Sequence, residues 1–305
     1  MKIYAYWDKP ANIPAYLQLC VATWQAHGGF GKVCLITQDN LHKWLPDGVL
    51  DLHALRQYPV PQQKDAIEVA MLAHYGGIFM DIDTISSAPF VAIREALADC
   101  EIALYGFHLS AVGARQHSPV AQRWLELLQE TLSLPREALM AATGLNYTEL
   151  GNYTFELLRN ELATGKRAQP GEPVTKVIGI LRKLQRIRLL KSRRQTYIAQ
   201  IDPRRSGYIA ERAYRRADKL TARERYISFW FDERLPVDTV SSHGGGLIAL
   251  HHSWTPPEYS AKGFSELADD QSLLSRYLRT LLGPDELAHP GILETVLTGG
   301  GPAGE

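Results

Sequence analysis

The stretch Ala73-His74-Tyr75-Gly76-Gly77-Ile78-Phe79-Met80-Asp81-Ile82-Asp83-Thr84 decides the fold prediction for this chain. It reads as the end of a helix, a break of two glycines, a short apolar strand and then two carboxylates separated by one residue. Because side chains alternate along an extended backbone, Asp81 and Asp83 are expected on the same side of the strand. Two such carboxylates repel each other, and a divalent cation that lies between them and an anion such as a diphosphate relieves this repulsion. The stretch therefore predicts a cation-binding strand end.

Length and composition indicate a globular protein with a sizeable core. The chain has 305 residues, 45% of them hydrophobic, which suits one large domain or one domain with an insertion. No run of about 18 apolar residues is present, so no transmembrane helix is expected. The N-terminus reaches Asp8 without the apolar core of a signal peptide. Cys20, Cys34 and Cys100 lie far apart in apolar segments, which predicts buried thiols in a reducing cytoplasm.

The charge of the chain is balanced overall but concentrated in one segment. Residues 166–225 contain 18 Lys and Arg against 5 Asp and Glu, although the whole chain has a net charge of zero. Within them, Val174–Lys191 has the pattern of a basic amphipathic helix, which suits an anionic membrane surface. An ordinary surface helix is the alternative. Nucleic-acid binding is less favoured, because few aromatic residues are interleaved with the charges.

The order of strand and helix patterns predicts an α/β sheet, with ligands at the carboxyl ends of its strands. Predicted strands cover 2–7, 32–37, the segment carrying Asp81 and Asp83, 101–106 and 246–251. Predicted helices cover 12–26 with Asn12 as the cap, 65–74, 118–132, 153–163, the basic 174–191 and 264–282. The predicted domain spans 1–265 and includes a largely helical insertion at 166–225; a helical segment (266–297) and a disordered tail (298–305) follow.

Around the two carboxylates the sequence resembles a known family. The run from Lys64-Asp65-Ala66-Ile67 to Asp81-Ile82-Asp83-Thr84 resembles the sugar-nucleotide-binding region of DXD glycosyltransferases. The most similar groups are the capsular-polysaccharide synthesis proteins and the family 32 transferases. Tyr6-Trp7-Asp8-Lys9, Thr23-Trp24 and Thr37-x-Asp39-Asn40 extend the resemblance. It covers roughly residues 1–90 and returns near residue 250.

The resemblance implies a GT-A fold, a single Rossmann-like domain that binds a nucleotide-diphosphate sugar. It implies an enzyme that uses Mn²⁺ or Mg²⁺ and transfers the sugar, with retention of configuration, to a glycan or lipid-linked glycan. Such enzymes act in bacterial surface polysaccharide synthesis. A cytoplasmic protein that contacts the inner face of the membrane would fit the basic segment.

The same resemblance implies roles for individual residues. Asp83 would bind the metal directly, and Asp81 would contact the metal or the ribose. Asp65 would accept hydrogen bonds from the hydroxyls of the donor sugar, and Tyr6 or Trp7 would stack on the base. Each residue also has a plainer interpretation, as a solvated strand end, a helix-start acid favoured by the helix dipole or a core aromatic.

A second group of candidate residues is the run Leu250-His251-His252-Ser253-Trp254, which follows an apolar strand. In related enzymes a late histidine completes the metal shell, and imidazole suits a metal such as manganese. If the strand continues, His251 and His252 face opposite sides, so that one of them faces the metal. Ser253 and the Trp254 indole N–H would donate to phosphate. Core packing is the alternative for the pair of histidines.

Two further positions bear on the donor. Asn152, with Asn146 and Tyr147, belongs to a polar loop that would contact donor or acceptor, or that simply caps a helix and turns. Glu68 stands where many relatives carry an arginine. It would either face solvent or reflect a different donor sugar.

Two other function classes remain open at this point. The segment Ile78–Ile85 superficially matches a haloacid-dehalogenase-type phosphatase, in which the first Asp is a nucleophile. That family places a Thr or Val four residues after the nucleophile, whereas here that position is Ile85. A non-catalytic protein that binds a sugar nucleotide or a glycan is the second alternative.

Overall fold

The computed structural model describes residues 1–29, 33–89, 91–105, 109–143, 149–171, 197–201, 220–241 and 246–288. The chain divides into two compact units. The first unit comprises Met1–Thr37, Met80–Ala92 and Asp202–Gly300, and the second comprises Gln38–Phe79, Ile93–Ile201 and Gly301–Glu305.

The strands form a mixed sheet and a separate two-stranded sheet. The order in the larger sheet is β2-β1-β3-β6-β5-β7, and β4 pairs with β8 in the smaller one. β1 runs parallel to β2, and β5 runs parallel to β7 and antiparallel to β6. A central, mostly parallel sheet confirms the predicted α/β fold class. The strands are β1 (Ile3–Tyr6), β2 (Val33–Ile36), β3 (Gly77–Met80), β4 (Thr84–Ser86), β5 (Ile102–Tyr105), β6 (Ala111–Ala114), β7 (Ile198–Ile201) and β8 (Leu247–Ala249).

Helices connect these strands and fill the C-terminal part of the described chain. The α-helices are α1 (Ala15–His27), α2 (Leu41–Trp44), α3 (Leu52–Leu55), α4 (Val60–Tyr75), α5 (Ala92–Asp99), α6 (Pro119–Leu132), α7 (Arg136–Thr143), α8 (Thr154–Thr164), α9 (Ala222–Trp230), α10 (Asp238–Ser241), α11 (Pro257–Ser260), α12 (Phe264–Asp269), α13 (Leu273–Leu281) and α14 (Pro284–Ala288).

The two-glycine break between α4 and β3 is confirmed and has a steric reason. Gly76 and Gly77 have φ angles of +62° and +93°, a region that side chains with a Cβ rarely adopt. A Cβ atom on Gly76 would also lie 2.5 Å from the backbone nitrogen of Gln116. The chain therefore leaves the helix and enters the strand over residues that only glycine accommodates.

Helix α1 is fixed to the strand that follows the two carboxylates. The Trp24 indole Nε1 donates to the carbonyl oxygen of Thr84 at 2.5 Å, and the Ser86 backbone N–H donates to Thr23 Oγ1 at 2.8 Å. Trp24 and Thr23 are fully buried. These bonds satisfy polar groups of β4 that would otherwise be buried at a cost, so α1 fixes the position of β4.

Two helix starts differ from the prediction, and proline explains both. Pro14 rather than Asn12 is the N-cap of α1, and Asn12 lies in the short 3₁₀ turn Pro10–Asn12. Helix α4 begins at Val60, with a proline in its first turn, so Asp65 lies inside the helix and not at its start. Proline has a helical φ and needs no donor in a first turn, so it begins helices well.

The predicted terminal helix is wrong as a single element, because it divides into α12 and α13. Asp270 Oδ1 accepts a hydrogen bond from the Ser272 backbone N–H at 2.9 Å, and Ser272 Oγ caps α13 by accepting from the Ser275 N–H at 3.3 Å. Such local side-chain bonds compete with a continuous helix. Strand β6 and helix α9 have no counterpart in the sequence-based prediction.

Several other predictions have simple outcomes. The three cysteines are buried thiols, as expected. Within the described ranges, no helix is both long and apolar enough to cross a membrane. The predicted basic helix at 174–191, the tail at 298–305, and Asn146 and Tyr147 lie outside the described residues.

Candidate functional site

The two carboxylates lie in a turn rather than on an extended strand. Strand β3 ends at Met80, and the Thr84 backbone N–H donates to the Asp81 carbonyl oxygen at 3.0 Å. Asp81 and Asp83 are half-buried, whereas Ile82 between them is only 6% exposed. The prediction that the two acids stand on an extended strand is therefore wrong, because the backbone reverses here to enter β4.

Pairing of β4 with β8 brings this turn to the late histidines. Thr84 pairs with Ala249 and Ile85 with Ile248 in an antiparallel register. One residue further, the Leu250 backbone N–H donates to the Asp83 carbonyl oxygen at 3.0 Å. The residues that leave β8 therefore lie directly beside the residues that enter β4.

A direct contact joins Asp83 to His252. Asp83 Oδ2 accepts a hydrogen bond from the backbone N–H of His252 at 2.8 Å. His252 begins a 3₁₀ turn that extends to Trp254. Bonds from an N–H to a carboxylate are stronger than neutral ones, so this contact orients the Asp83 carboxylate and fixes the start of the turn.

The two histidine rings lie in different surroundings. His252 makes an edge contact with Trp7, with centroids 5.4 Å apart, and its Nδ1 is 2.6 Å from the Tyr16 hydroxyl. Burial lowers the pKa of His252, which favours the neutral ring. His251 instead packs on the Trp254 ring at 4.1 Å between centroids. The two rings therefore have different neighbours, in a turn and not on a strand as predicted.

Three hydroxyls beside these histidines were missed from the sequence. Tyr16 is fully buried, and burial raises the pKa of its hydroxyl well above the usual range. Thr255 Oγ1 donates to the His251 carbonyl oxygen at 3.2 Å and contacts the Tyr226 hydroxyl at 3.0 Å. No local signal marked these hydroxyls, because α1 also carries the polar residues Gln18, Thr23 and Gln25.

The other predicted donor-binding residues of the first unit differ in exposure. Tyr6 is 4% exposed within β1, so its ring belongs to the core. Trp7 and Trp254 are half-buried, and Ser253 is exposed. Of the two candidates for stacking on a base, Trp7 is therefore the one with accessible surface.

In the second unit, Lys64 lies between two carboxylates of α4. Its Nζ is 2.8 Å from Asp65 Oδ1 and 3.1 Å from Glu68 Oε2. Glu68 is fully buried, so the expectation that it faces solvent is wrong. Burying a carboxylate is costly unless it is paired. Lys64 provides that pairing and links Glu68 to the predicted sugar-binding Asp65.

The Asp65 carboxylate also packs against the turn that carries Asn152. A Cβ atom on Gly151 would lie 2.1 Å from Asp65 Oδ2, so the close approach requires glycine. Gly151 and the half-buried Asn152 belong to the π-helical turn Glu149–Tyr153. Two predicted donor-binding positions, Asp65 and Asn152, thus lie at neighbouring places in this unit.

A complete metal site is not assembled from the predicted ligands. Among the residues that the structure describes, no group of three or more His, Cys, Asp or Glu side chains is arranged to hold a metal ion. Of the four candidates, Asp83 and His252 are in direct contact, and Asp81 and His251 adjoin them in sequence. Two half-buried carboxylates in one turn still suit Mg²⁺ or Mn²⁺, since such cations are commonly held by one or two carboxylates together with substrate phosphates.

Three of the solved structures to which the chain is similar are glycosyltransferases of low sequence identity. The PaToxG glycosyltransferase is 14% identical, with coverage of 81% of this chain and 87% of its own and a TM-score of 0.41. The galactosyltransferase LgtC, in complex with donor and acceptor sugar analogs, is 10% identical, with coverage of 95% and 99% and a TM-score of 0.40. GlyE of Streptococcus pneumoniae TIGR4 is 11% identical, with coverage of 92% and 63% and a TM-score of 0.37.

A family model matches the N-terminal part of the chain. No curated protein sequence matches the chain. Residues 15–99 match the family described as "Glycosyltransferase sugar-binding region containing DXD motif". The matched residues include Asp65 and the turn with Asp81 and Asp83, on which the sequence-based resemblance rested. Residues 15–99 are therefore similar to the DXD-containing sugar-binding region of glycosyltransferases, in agreement with the resemblance predicted from the sequence.

Proposed function

We propose that this protein transfers a sugar from a nucleotide-diphosphate donor to a glycan or lipid-linked glycan acceptor, in a reaction that depends on Mn²⁺ or Mg²⁺. The observation that carries the proposal is the bond from the His252 backbone N–H to Asp83 Oδ2. It joins the DXD turn, within the matched family region, to the histidine-containing turn that follows β8. Carboxylates, imidazole and indole rings thereby meet at one place.

The proposed metal ligands are Asp81 and Asp83, with the donor diphosphate completing the shell and His252 as the nearer of the two histidines. When bound, the cation would neutralise charge that develops on the leaving diphosphate. The chain contributes orientation: the His252 N–H holds one oxygen of Asp83 in place before any ligand arrives. A preorganised carboxylate needs little rearrangement on binding, which favours the reaction.

Other residues supply the remaining contacts of the donor in this proposal. Trp7 stacks on the base, and its edge contact with His252 keeps that position beside the DXD turn. Ser253 and the Trp254 indole donate to phosphate oxygens. Asp65 accepts hydrogen bonds from the hydroxyls of the sugar. No base or nucleophile is assigned.

The finer features of the proposal rest on the sequence resemblance. They are retention of configuration, a role in bacterial surface polysaccharide synthesis and action at the inner face of the membrane. The positive charge of residues 166–225 supports contact with anionic lipid. Co-sedimentation of the full chain with phosphatidylglycerol vesicles, compared with phosphatidylcholine vesicles, tests this contact; equal binding to both would contradict it.

A screen of nucleotide-diphosphate sugars for metal-dependent hydrolysis tests the proposed reaction. Turnover is expected with at least one donor in Mn²⁺ or Mg²⁺, and loss of turnover is expected in EDTA and in Asp83→Ala. Asp285→Asn, on the exposed surface of α14, is the matched control. Full activity of Asp83→Ala would overturn the proposal.

Adding a phosphate ester to the screen distinguishes the two alternative functions from the proposed one. Release of inorganic phosphate from this ester, with a covalent phosphate on Asp81, would support a phosphatase. Binding of sugar nucleotides with no turnover on any donor or acceptor would support a non-catalytic binding protein. The family match of residues 15–99 favours the transferase over both.

A further inference from the structure

Lys64 lies between a fully buried carboxylate and a partly accessible one. Its Nζ is 2.8 Å from Asp65 Oδ1 and 3.1 Å from Glu68 Oε2. The Glu68 side chain has no exposed surface, whereas the side chains of Lys64 and Asp65 are each 16% exposed. One ammonium group thus joins a carboxylate that is closed to solvent to a carboxylate that a ligand can reach.

Helix geometry shows that these two contacts have different origins. Residues four apart, such as Lys64 and Glu68, lie on one face of a helix, whereas neighbours such as Lys64 and Asp65 do not face each other. The shorter of the two contacts is nevertheless the one with Asp65. Neutralising the buried Glu68 requires only the contact along the helix face, so the pairing with Asp65 is a separate feature of this lysine.

The Asp65 carboxylate is confined on its other side by the turn Glu149–Tyr153. A Cβ atom on Gly151 would lie 2.1 Å from Asp65 Oδ2 and 2.6 Å from Asp65 Cγ. Oδ1 is held by the Lys64 ammonium, and Oδ2 packs on the glycine. Because each oxygen has its own neighbour, rotation of the carboxylate is restricted and the group is oriented before a ligand binds.

An oriented, ionised carboxylate selects the ligand groups that it can bind. It accepts hydrogen bonds and donates none, so it favours hydroxyl groups over carbonyl oxygens. Hydrogen bonds to a charged acceptor are stronger than neutral ones. A group that is already oriented also loses little freedom on binding, which favours affinity.

We propose that Lys64 is a positioning residue for the donor sugar: anchored by Glu68, it holds the ionised Asp65 carboxylate ready to accept hydrogen bonds from sugar hydroxyls. The assignment rests on the proposed function, in which Asp65 contacts the sugar. It has two consequences. Lys64 affects binding of the sugar and not of the nucleotide, and the sugar must carry a free hydroxyl at the position that Asp65 contacts.

Comparison of nucleotide sugars with their own nucleoside diphosphates tests the first consequence. UDP-glucose, UDP-N-acetylglucosamine and GDP-mannose are compared with UDP and GDP by calorimetry of the full chain in Mn²⁺. The ratio of the two affinities is informative, because a merely structural defect weakens both ligands alike. Lys64→Met is expected to lower this ratio about 10- to 100-fold, the usual loss of a hydrogen bond to a charged group. Lys43→Met, on the exposed face of α2, is the matched control and should leave the ratio unchanged.

The double variant Lys64→Met with Glu68→Leu decides the question if Lys64→Met fails to fold. It removes the buried carboxylate together with its cation, so no unpaired charge is left inside the protein. The same loss of the affinity ratio is expected. A wild-type ratio in the double variant, or equal weakening of nucleotide and nucleotide sugar in Lys64→Met, would overturn the proposal.

Donor analogues in which fluorine replaces one sugar hydroxyl at a time test the second consequence. Fluorine cannot donate a hydrogen bond, so one replacement should weaken binding to the wild type about 10-fold or more. The same replacement should weaken binding to Lys64→Met far less, and equal penalties in both proteins at every position would overturn the proposal. Absence of turnover in a wild type whose sugar binding depends on Lys64 would instead reject the proposed reaction alone.

Discussion

Asp83 and His252 are 169 residues apart in sequence, yet the backbone N–H of His252 donates to Asp83 Oδ2 at 2.8 Å. The antiparallel pairing of β4 with β8 sets this contact, since it aligns Thr84 with Ala249. The carboxylate therefore has two separable properties, a negative charge and a hydrogen-bond acceptor. They can be distinguished by substitution.

Asp83→Asn and Asp83→Ala are expected to differ in stability but not in catalysis. Both remove the charge, so nucleotide-sugar hydrolysis should fall about 100-fold or more. Asparagine still offers an oxygen to the His252 N–H, whereas alanine leaves that donor without this partner. Asp83→Ala alone should therefore lower the free energy of unfolding, by about 1–3 kcal/mol. Urea unfolding with hydrolysis assays checks this, and equal stability of the two variants would show that the bond contributes nothing.

Gly151→Ala is expected to displace the Asp65 carboxylate. The added methyl group would overlap Asp65 Oδ2, so the turn or the helix must shift. Overpacking of this kind costs about 1–3 kcal/mol, and the affinity for the donor should fall with it. Calorimetric donor binding and thermal unfolding measure both effects. Gly263→Ala is the control, because a Cβ there makes only an ordinary contact at 3.7 Å with Glu266; equal behaviour of the two variants would contradict the prediction.

Lys64→Met is expected to destabilise the protein by removing the cation between Asp65 and Glu68. Breaking a buried ion pair typically costs about 3–5 kcal/mol, and the 16% exposure of Lys64 points to the lower end. The double variant Lys64→Met with Glu68→Leu should recover part of this loss, since the buried carboxylate is then absent. Chemical unfolding measures each free energy, with Lys43→Met on the exposed face of α2 as control. Strictly additive losses would contradict the coupling of Lys64 with Glu68.

Asp270 is expected to make stability sensitive to acid. Burial alone would raise the pKa of this carboxyl, but hydrogen bonds from Lys262 and Ser272 outweigh burial and hold the pKa below its usual range. A lowered pKa in the folded state contributes stability that is present above the unfolded pKa of about 3.9 and is lost as the pH falls through the folded value. Between pH about 4 and 2, the wild type should lose stability more steeply than Asp270→Asn. Parallel pH profiles from urea unfolding would contradict this, and Asp285→Asn, an exposed carboxyl, serves as control.

Much of the fold followed from local patterns. The apolar strands, the helix before Gly76 and the glycine break were predicted because their signals lie within a few residues. The predicted helix boundaries were wrong where two local signals competed. Proline displaced Asn12 as the cap of α1, and Asp270 and Ser272 divided a predicted helix into two. Strand β6 went unrecognised because its small residues, Ala111 to Ala114, give no clear pattern.

The sequence by itself determined which chemical groups are present: two acids after an apolar strand, a pair of histidines after another, and a family match at residues 15–99 that includes the acids. Only the tertiary structure decided how they meet. The acids lie in a turn and not on a strand, Glu68 is buried against Lys64, and Tyr16 contacts His252. The contacts of Asp83 and Tyr16 with the histidine turn depend on the pairing of β4 with β8 and on the packing of α1 against β4. Contacts between residues so distant in sequence cannot be read from hydrophobic periodicity, because the periodicity of each segment reflects only its own secondary structure.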